Sequence, residues 1–264
     1  MASSDPVILQ ETSEGVRVLR LNRPDKMNGI NAELLKALIE AVQAATHDEE
    51  VRVVGITGAG RGFCAGADLG DSKASDFKRD KLDDLGFVGR LALAIRVECD
   101  KPVIAGINGL AVGGGVALAM LADMRIASSS ATFNPGYARV GLSPDAGLSW
   151  TLPQAIGHEQ AMRFLLEQKT LDAQAALKVG LIGEVVDAEG FEDAFMEYCK
   201  KIASAAPLAL RHIKKLVSRA GLGIDLESQL CAENLFVERG ARSEDAQEAI
   251  RALFKKRQPV FKGK

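Results

Sequence analysis

The run Val103-Ile104-Ala105-Gly106-Ile107-Asn108-Gly109-Leu110-Ala111-Val112-Gly113-Gly114-Gly115, with the apolar stretch from Val116 to about Met124 behind it, decides the fold class. Val103–Ile107 is short, wholly apolar and bounded by turn residues, as a buried strand is. The glycine triplet interrupts the apolar run, and the stretch after it has the composition of a buried helix. A strand that leads through glycines into the N-terminus of a helix is an α/β feature.

The same order occurs upstream. Val51–Thr57 reads as a buried strand that stops at Gly58-Ala59-Gly60. Before it, Asn31 is placed to cap a helix over about 32–46, because Leu34, Leu35, Leu38, Ile39 and Val42 fall on one helical face. Earlier still, Val7–Gln10 and Val16–Leu21 flank Ser13-Glu14-Gly15 and read as a β-hairpin. From Gly70 to Asp84 the sequence turns polar and charged, without apolar period, and reads as an exposed, mobile segment ahead of a helix from about Phe87 to Val97. After Phe191 the pattern is helical up to the basic tail Phe254–Lys264. The expected organisation is an α/β core over 1–190 that carries the site and a C-terminal helical region over 191–264.

Composition narrows the function classes. With 33 basic against 35 acidic side chains in 264 residues, the formal net charge of -2 gives no electrostatic footprint for general nucleic-acid binding. Cys64, Cys99, Cys199 and Cys231 lie far apart, without C-x-x-C or Cys/His ligand spacing, so neither a disulfide framework nor a metal site is expected. Met1 to Pro6 lacks the basic-then-apolar pattern of a signal, and no window approaches the ~20 apolar residues of a membrane span. A cytoplasmic protein without nucleic-acid or membrane partners is the expectation.

Glycine turns after strands raise phosphate binding first. Gly58-Ala59-Gly60-Arg61-Gly62-Phe63 places Phe where the third glycine of G-x-G-x-x-G belongs, and G-x-x-x-x-G-K-[ST] does not occur. The other use of such turns is an oxyanion hole, in which free backbone N–H groups at a tight turn and a helix N-terminus face an oxygen that gains negative charge. Gly113-Gly114-Gly115 at a helix start and Ala65-Gly66-Ala67 after the first strand supply two candidate turns. On glycine spacing alone, both can equally be tight packing turns.

Three longer segments carry a resemblance: Phe63-Cys64-Ala65-Gly66-Ala67-Asp68-Leu69, Asn108-Gly109-Leu110-Ala111-Val112-Gly113-Gly114-Gly115, and Gly141-Leu142-Ser143-Pro144-Asp145-Ala146-Gly147. In order and spacing they resemble the signature segments of the crotonase (enoyl-CoA hydratase/isomerase) superfamily, over essentially the whole chain. The resemblance extends to Asn22–Asn28, to the Ala173–Val186 segment and to the tail Lys256–Lys262. It implies a spiral of repeated ββα units with a C-terminal helical trimerisation region, hence a homotrimer or hexamer. It also implies an acyl-CoA thioester as substrate, with coenzyme A part of that substrate and no separate cofactor. By motif position, the N–H groups of Ala67 and Gly114 would hold the thioester oxygen, with Gly113 beside them. The adenine would lie near Ala65–Leu69, the pantetheine near Lys26 and Met27, and Lys262 would meet a CoA phosphate.

The oxyanion hole is common to the superfamily's chemistries, so acid/base residues must decide the reaction. The two glutamates of typical hydratases fall, by motif position, on Ala117 and Tyr137, neither of which is a carboxylate. Asp145 remains, in a segment that looks most like the branch with ring-1,2-epoxyphenylacetyl-CoA isomerases and Δ3,Δ2-enoyl-CoA isomerases, where this position is the acid/base. Taken alone, an Asp at this point reads as a helix N-cap. The expected activity is an enoyl-CoA isomerase that moves a double bond from 3-enoyl to 2-enoyl, or isomerises an epoxyphenylacetyl ring, through an enolate. The alternatives are a hydratase with a non-standard site, a dehalogenase-type nucleophile at Asp145, and a non-catalytic acyl-CoA-binding scaffold. Tyr137 would hydrogen-bond the substrate, orient Asp145 or shape the pocket wall, and Asp68 would serve the turn as an internal ion-pair or hydrogen-bond partner. His47, His158 and His212 lie outside the matched segments and read as structural.

Overall fold

A computed structural model describes residues 5–70 and 85–264. The charged segment read as mobile falls, beyond Gly70, outside the described residues. The chain opens with the expected hairpin, β1 (Ile8–Ser13) and β2 (Val16–Leu21), paired antiparallel. Its turn places Glu14 and Gly15 in succession at φ 48° and 80°, matching the twist of a tight hairpin. Helix α1 (Ala32–His47) follows, and the Asn31 side chain accepts from the Leu34 N–H at 2.9 Å, as a cap should. Its buried stripe is Leu34, Leu35, Leu38, Ala41, Val42 and Ala45.

Three successive units then repeat one plan. β3 (Val53–Gly58) and β4 (Gly62–Cys64) lead to α2 (Gly86–Leu93), which continues as a π-helical turn over Ala94–Glu98. β5 (Val103–Ile107) and β6 (Leu110–Val112) lead to α3 (Gly114–Leu121). β7 (Met124–Ser128) and β8 (Thr132–Asn134) lead to α4 (Leu148–Ile156). Next come α5 (His158–Glu167), β9 (Leu171–Asp172), α6 (Ala173–Val179) and β10 (Glu184–Val186). The first strand of each unit enters a six-stranded sheet of order β1-β2-β3-β5-β7-β10, parallel except at the hairpin edge. The second enters a four-stranded sheet of order β4-β6-β8-β9. Each turn of the chain thus adds one strand to both sheets, which is the ββα spiral of the crotonase fold.

Every residue of β3 and β5 is buried, Thr57 included, as expected of apolar-rich strands covered on both faces. One face packs on the helices of the spiral. The other receives α7 (Phe191–Ala203), whose Phe195 ring lies so flat on the sheet that a Cβ on Gly106 would stand 2.8 Å from it. The C-terminal helical region therefore begins with a helix that shares the sheet's core. Burial of a side chain as large as Phe195 stabilises by about 1.5–3 kcal/mol.

The chain ends in α8 (Pro207–Ala220), α9 (Leu226–Ala241) and α10 (Glu244–Phe254). Buried Lys214 anchors α8, donating to the carbonyls of Ile95 at 3.1 Å and Lys101 at 2.9 Å and pairing with Asp123 at 2.9 Å. Helix α9 buries no residue, and its Leu226, Leu230, Leu235 and Val237 are each more than half exposed. Among the described residues no helix is long and apolar enough to cross a membrane.

Candidate active site

The first glycine turn is held from below by the Arg23–Ile30 segment. Asn28 is fully buried, donates through its amide to the carbonyls of Ala59 at 3.0 Å and Gly62 at 2.8 Å, and accepts from the Arg23 N–H at 2.9 Å. The Arg23 guanidinium donates to the Gly29 carbonyl and to Asp68 Oδ2, the latter at 2.8 Å. Asp68 thus has the internal ion-pair role read from the sequence. Ile30 and Ala67 form an isolated parallel bridge, in which the Ile30 N–H donates to the Gly66 carbonyl at 2.7 Å and the Asp68 N–H to the Ile30 carbonyl at 2.9 Å. Those bonds use the groups on either side of Ala67, so the Ala67 N–H points away from Ile30.

It points toward the second turn. Gly66 has φ +83°, and a Cβ there would stand 2.6 Å from the Val112 carbonyl oxygen and 3.2 Å from the Gly114 nitrogen. A Cβ on Gly114 would stand 3.8 Å from the Ala67 nitrogen. The two turns therefore meet, with the amides of Ala67 and Gly114 as neighbours. The Gly113 N–H is engaged by the Asn134 carbonyl at 2.9 Å, whereas Gly114 is the first residue of α3 and its N–H has no acceptor within the helix. Neither the Ala67 nor the Gly114 N–H has a backbone acceptor among the described residues. Both are free to bind an oxygen at the positive end of α3. Helix α3 starts at the glycines, two residues earlier than its apolar run indicates, and this brings the Gly114 amide to the helix end.

The paired amides open into a cleft of about 160 Å³. Leu35, Val88, Leu91, Leu118 and Leu121 form its apolar walls, with Val140 and Leu142 more than half exposed at its mouth. Ala65, Ala67, Leu69, Gly113, Gly114, Tyr137 and Asp145 all line it, and Asp145 is the only carboxylate among its described lining residues. Asp145 is exposed at the mouth. It does not cap α4, whose N-cap is Gly147 without a side-chain bond, so the simple capping role is excluded. The Tyr137 hydroxyl donates to Asp145 Oδ1 at 2.7 Å. Burial, reinforced by the Asp145 charge, pushes the Tyr137 phenol far above its ordinary range and keeps it a donor. Tyr137 is therefore both a wall of the cleft and the hydrogen-bond partner of Asp145.

Lys26, Met27 and Lys262 do not line the cleft. Met27 borders it through its carbonyl, which accepts from the Ala65 N–H at 2.9 Å, while Lys26 is exposed beside it. The N–H groups of Lys262 and Gly263 donate to the two carboxylate oxygens of buried Asp245 at 2.7 and 2.8 Å, which fastens the tail to α10. His47, His158 and His212 are also outside the cleft, and His212 stacks on Phe236 with ring centroids 4.3 Å apart. Sequence reasoning did not assign Arg23 and Asn28, which shape the first turn, or the walls Leu118 and Leu121. The latter two follow Gly114 by four and seven residues, a helical spacing that was legible.

The family described as enoyl-CoA hydratase/isomerase matches residues 11–264. The 1,2-epoxyphenylacetyl-CoA isomerase of Escherichia coli K12 is 36% identical, over 97% of this chain and 98% of its own length. The (E)-benzylidenesuccinyl-CoA hydratase of Thauera aromatica is also 36% identical, over 98% of this chain and 99% of its own. Among solved structures, an enoyl-CoA hydratase from Bacillus anthracis superposes with a TM-score of 0.89 at 32% identity, covering 98% of this chain and 100% of that one. An enoyl-CoA hydratase from Polaromonas sp. JS666 gives 0.88 at 32% identity, covering 96% and 99%.

Proposed function

This chain belongs to the enoyl-CoA hydratase/isomerase family, whose members act on CoA thioesters, and we infer that within it the protein is an isomerase. The observation that carries this reading is that Asp145 is the single carboxylate among the described residues lining a cleft that also holds the free amides of Ala67 and Gly114. The positions where the resemblance puts the two hydratase glutamates are Ala117 and Tyr137.

One base and one oxyanion hole suffice for double-bond migration. Asp145 takes a proton from C2 of a 3-enoyl thioester, and the electron pair of that C–H bond moves into the carbonyl. The Ala67 and Gly114 N–H groups hold the resulting dienolate oxygen. The protonated Asp145 then returns its proton to C4, the carbonyl re-forms and the double bond lies between C2 and C3. Atoms balance without water or a separate cofactor. An oxyanion donor contributes roughly 10²–10³ in rate and a positioned acid/base roughly 10²–10⁴. Tyr137 holds Oδ1, which leaves Oδ2 for the substrate. Similarity to the Escherichia coli isomerase supports a ring-epoxide substrate as a variant of the same enolate chemistry. Exposure of Asp145 at the mouth gives water access and supports hydration as the second reading. A panel of 3-enoyl-, 2-enoyl- and epoxyphenylacetyl-CoA thioesters, with isomerised and hydrated products quantified separately, decides between them. Hydrated product alone overturns the isomerase reading, and tight binding without turnover favours a scaffold.

The bare apolar flank of α9 supports self-association through the C-terminal helices as a homotrimer or hexamer. A solution mass equal to one chain would contradict this.

A further inference from the structure

Helix α3 presents Gly114, Leu118 and Leu121 to the cleft, at spacings of four and three residues that put them on one stripe. At a rise of 1.5 Å per residue, Leu121 lies ~10 Å along the helix from the Gly114 amide. Leu121 is only 1% exposed, yet it lines two spaces at once: the cleft of about 160 Å³ and, behind it, an open-sided cavity of about 390 Å³ whose rim includes exposed Val97 and Leu222. Its surroundings divide in the same way. Leu91 lines the cleft while Ala92 lines the rear cavity, and Ala146 and Gly147 are split likewise. One layer of side chains therefore separates the two spaces, and Leu121 is its shared member.

We propose that Leu121 is the wall that sets the length of the acyl chain, and that the rear cavity is a latent extension of the acyl pocket closed off by this side chain. The proposal rests on the reading that the cleft holds an acyl thioester with its oxygen at Ala67 and Gly114. In an extended chain three bonds span about 3.5 Å, so ~10 Å corresponds to roughly eight bonds. Chains of about eight carbons end at Leu121, and longer ones meet it.

The test is calorimetric binding of saturated hexanoyl-, octanoyl- and dodecanoyl-CoA to the wild type, Leu121→Ala and Leu121→Val. The wild type gains affinity up to octanoyl-CoA and loses it at dodecanoyl-CoA. Each methylene that enters an apolar space contributes about fourfold, so opening the rear cavity raises the dodecanoyl-to-octanoyl affinity ratio of Leu121→Ala about tenfold or more. Leu121→Val, a milder change that keeps the core filled, shifts the ratio in the same direction by less. An unchanged ratio in the variants, or wild-type affinity that climbs steadily to dodecanoyl-CoA, overturns the proposal. Saturated ligands do not turn over, so a wild type that binds in the expected pattern but isomerises nothing sinks the isomerase reading and leaves the wall standing.

Discussion

The Tyr137 hydroxyl donates to Asp145 Oδ1 at 2.7 Å, joining a buried phenol to the one carboxylate among the described residues that line the cleft. Tyr137 is held between β8 and α4 by burial, so the bond transmits the rigidity of the core to an acid that stands at an open mouth. A loop carboxylate without such a partner would lose orientation to solvent.

Tyr137→Phe keeps the buried ring and deletes the bond. Hydrogen bonds to charged groups are worth about 1.5–3 kcal/mol, so kcat should fall roughly 10- to 100-fold while KM stays near its wild-type value. An unchanged kcat would reduce Tyr137 to a wall residue.

For Asp145→Asn, isomerisation should fall by roughly 10²–10⁴ while affinity for a saturated acyl-CoA is nearly intact. Parallel rate and calorimetric measurements check this. Activity equal to the wild type removes Asp145 as the base.

Gly66→Ala should damage both stability and turnover. The residue sits at φ +83° with the Val112 carbonyl 2.6 Å from the position a Cβ would take, so the turn must open and carry the Ala67 amide away from Gly114. Left-handed backbone alone costs about 1–2 kcal/mol for a residue with a Cβ. Displacement of one oxyanion donor should lower kcat by roughly 10²–10³. Thermal melting and kcat are the readouts, and a variant with wild-type kcat would contradict the convergence of the two turns on one oxygen.

Acid should loosen the C-terminal tail at Val260. A hydrogen bond from Arg257, helped by the Val260 N–H, holds the Glu248 carboxyl at about 2, below its ordinary 4.5. Because the folded value is the lower one, this tie contributes fully above pH 4.5 and is lost as pH falls through about 2. The protection of the Val260 amide, its exchange rate relative to the intrinsic rate at the same pH, should fall across that window, and Glu248→Gln should abolish that fall. Protection that stays flat in the wild type would show that this tie does not hold Val260.

The parts of the fold that were legible are those in which one local signal suffices. The β-branched, apolar-rich runs of β3 and β5, the hairpin turn and the Asn31 cap all act within a few residues of themselves. The three-residue strands β4, β6 and β8 carry no period of their own and exist because each lies beside its predecessor in the spiral. The seat of Phe195 over Gly106 depends on residues far apart in sequence, so the packing of α7 on the sheet had no local signature. In the site, the glycine turns and Asp145 could be singled out by residue type and motif. Their meeting in one cleft, where Gly66 approaches Gly114, with Asn28 clamping the loop beneath, is a tertiary fact.

Directly before this turn, Cys64 is fully enclosed, and burial pushes its thiol up to about 12. At neutral pH its sulfur stays protonated and shielded, so alkylating reagents and peroxide meet no thiolate there. A CoA thioester bound in the neighbouring cleft therefore meets no thiolate at that position.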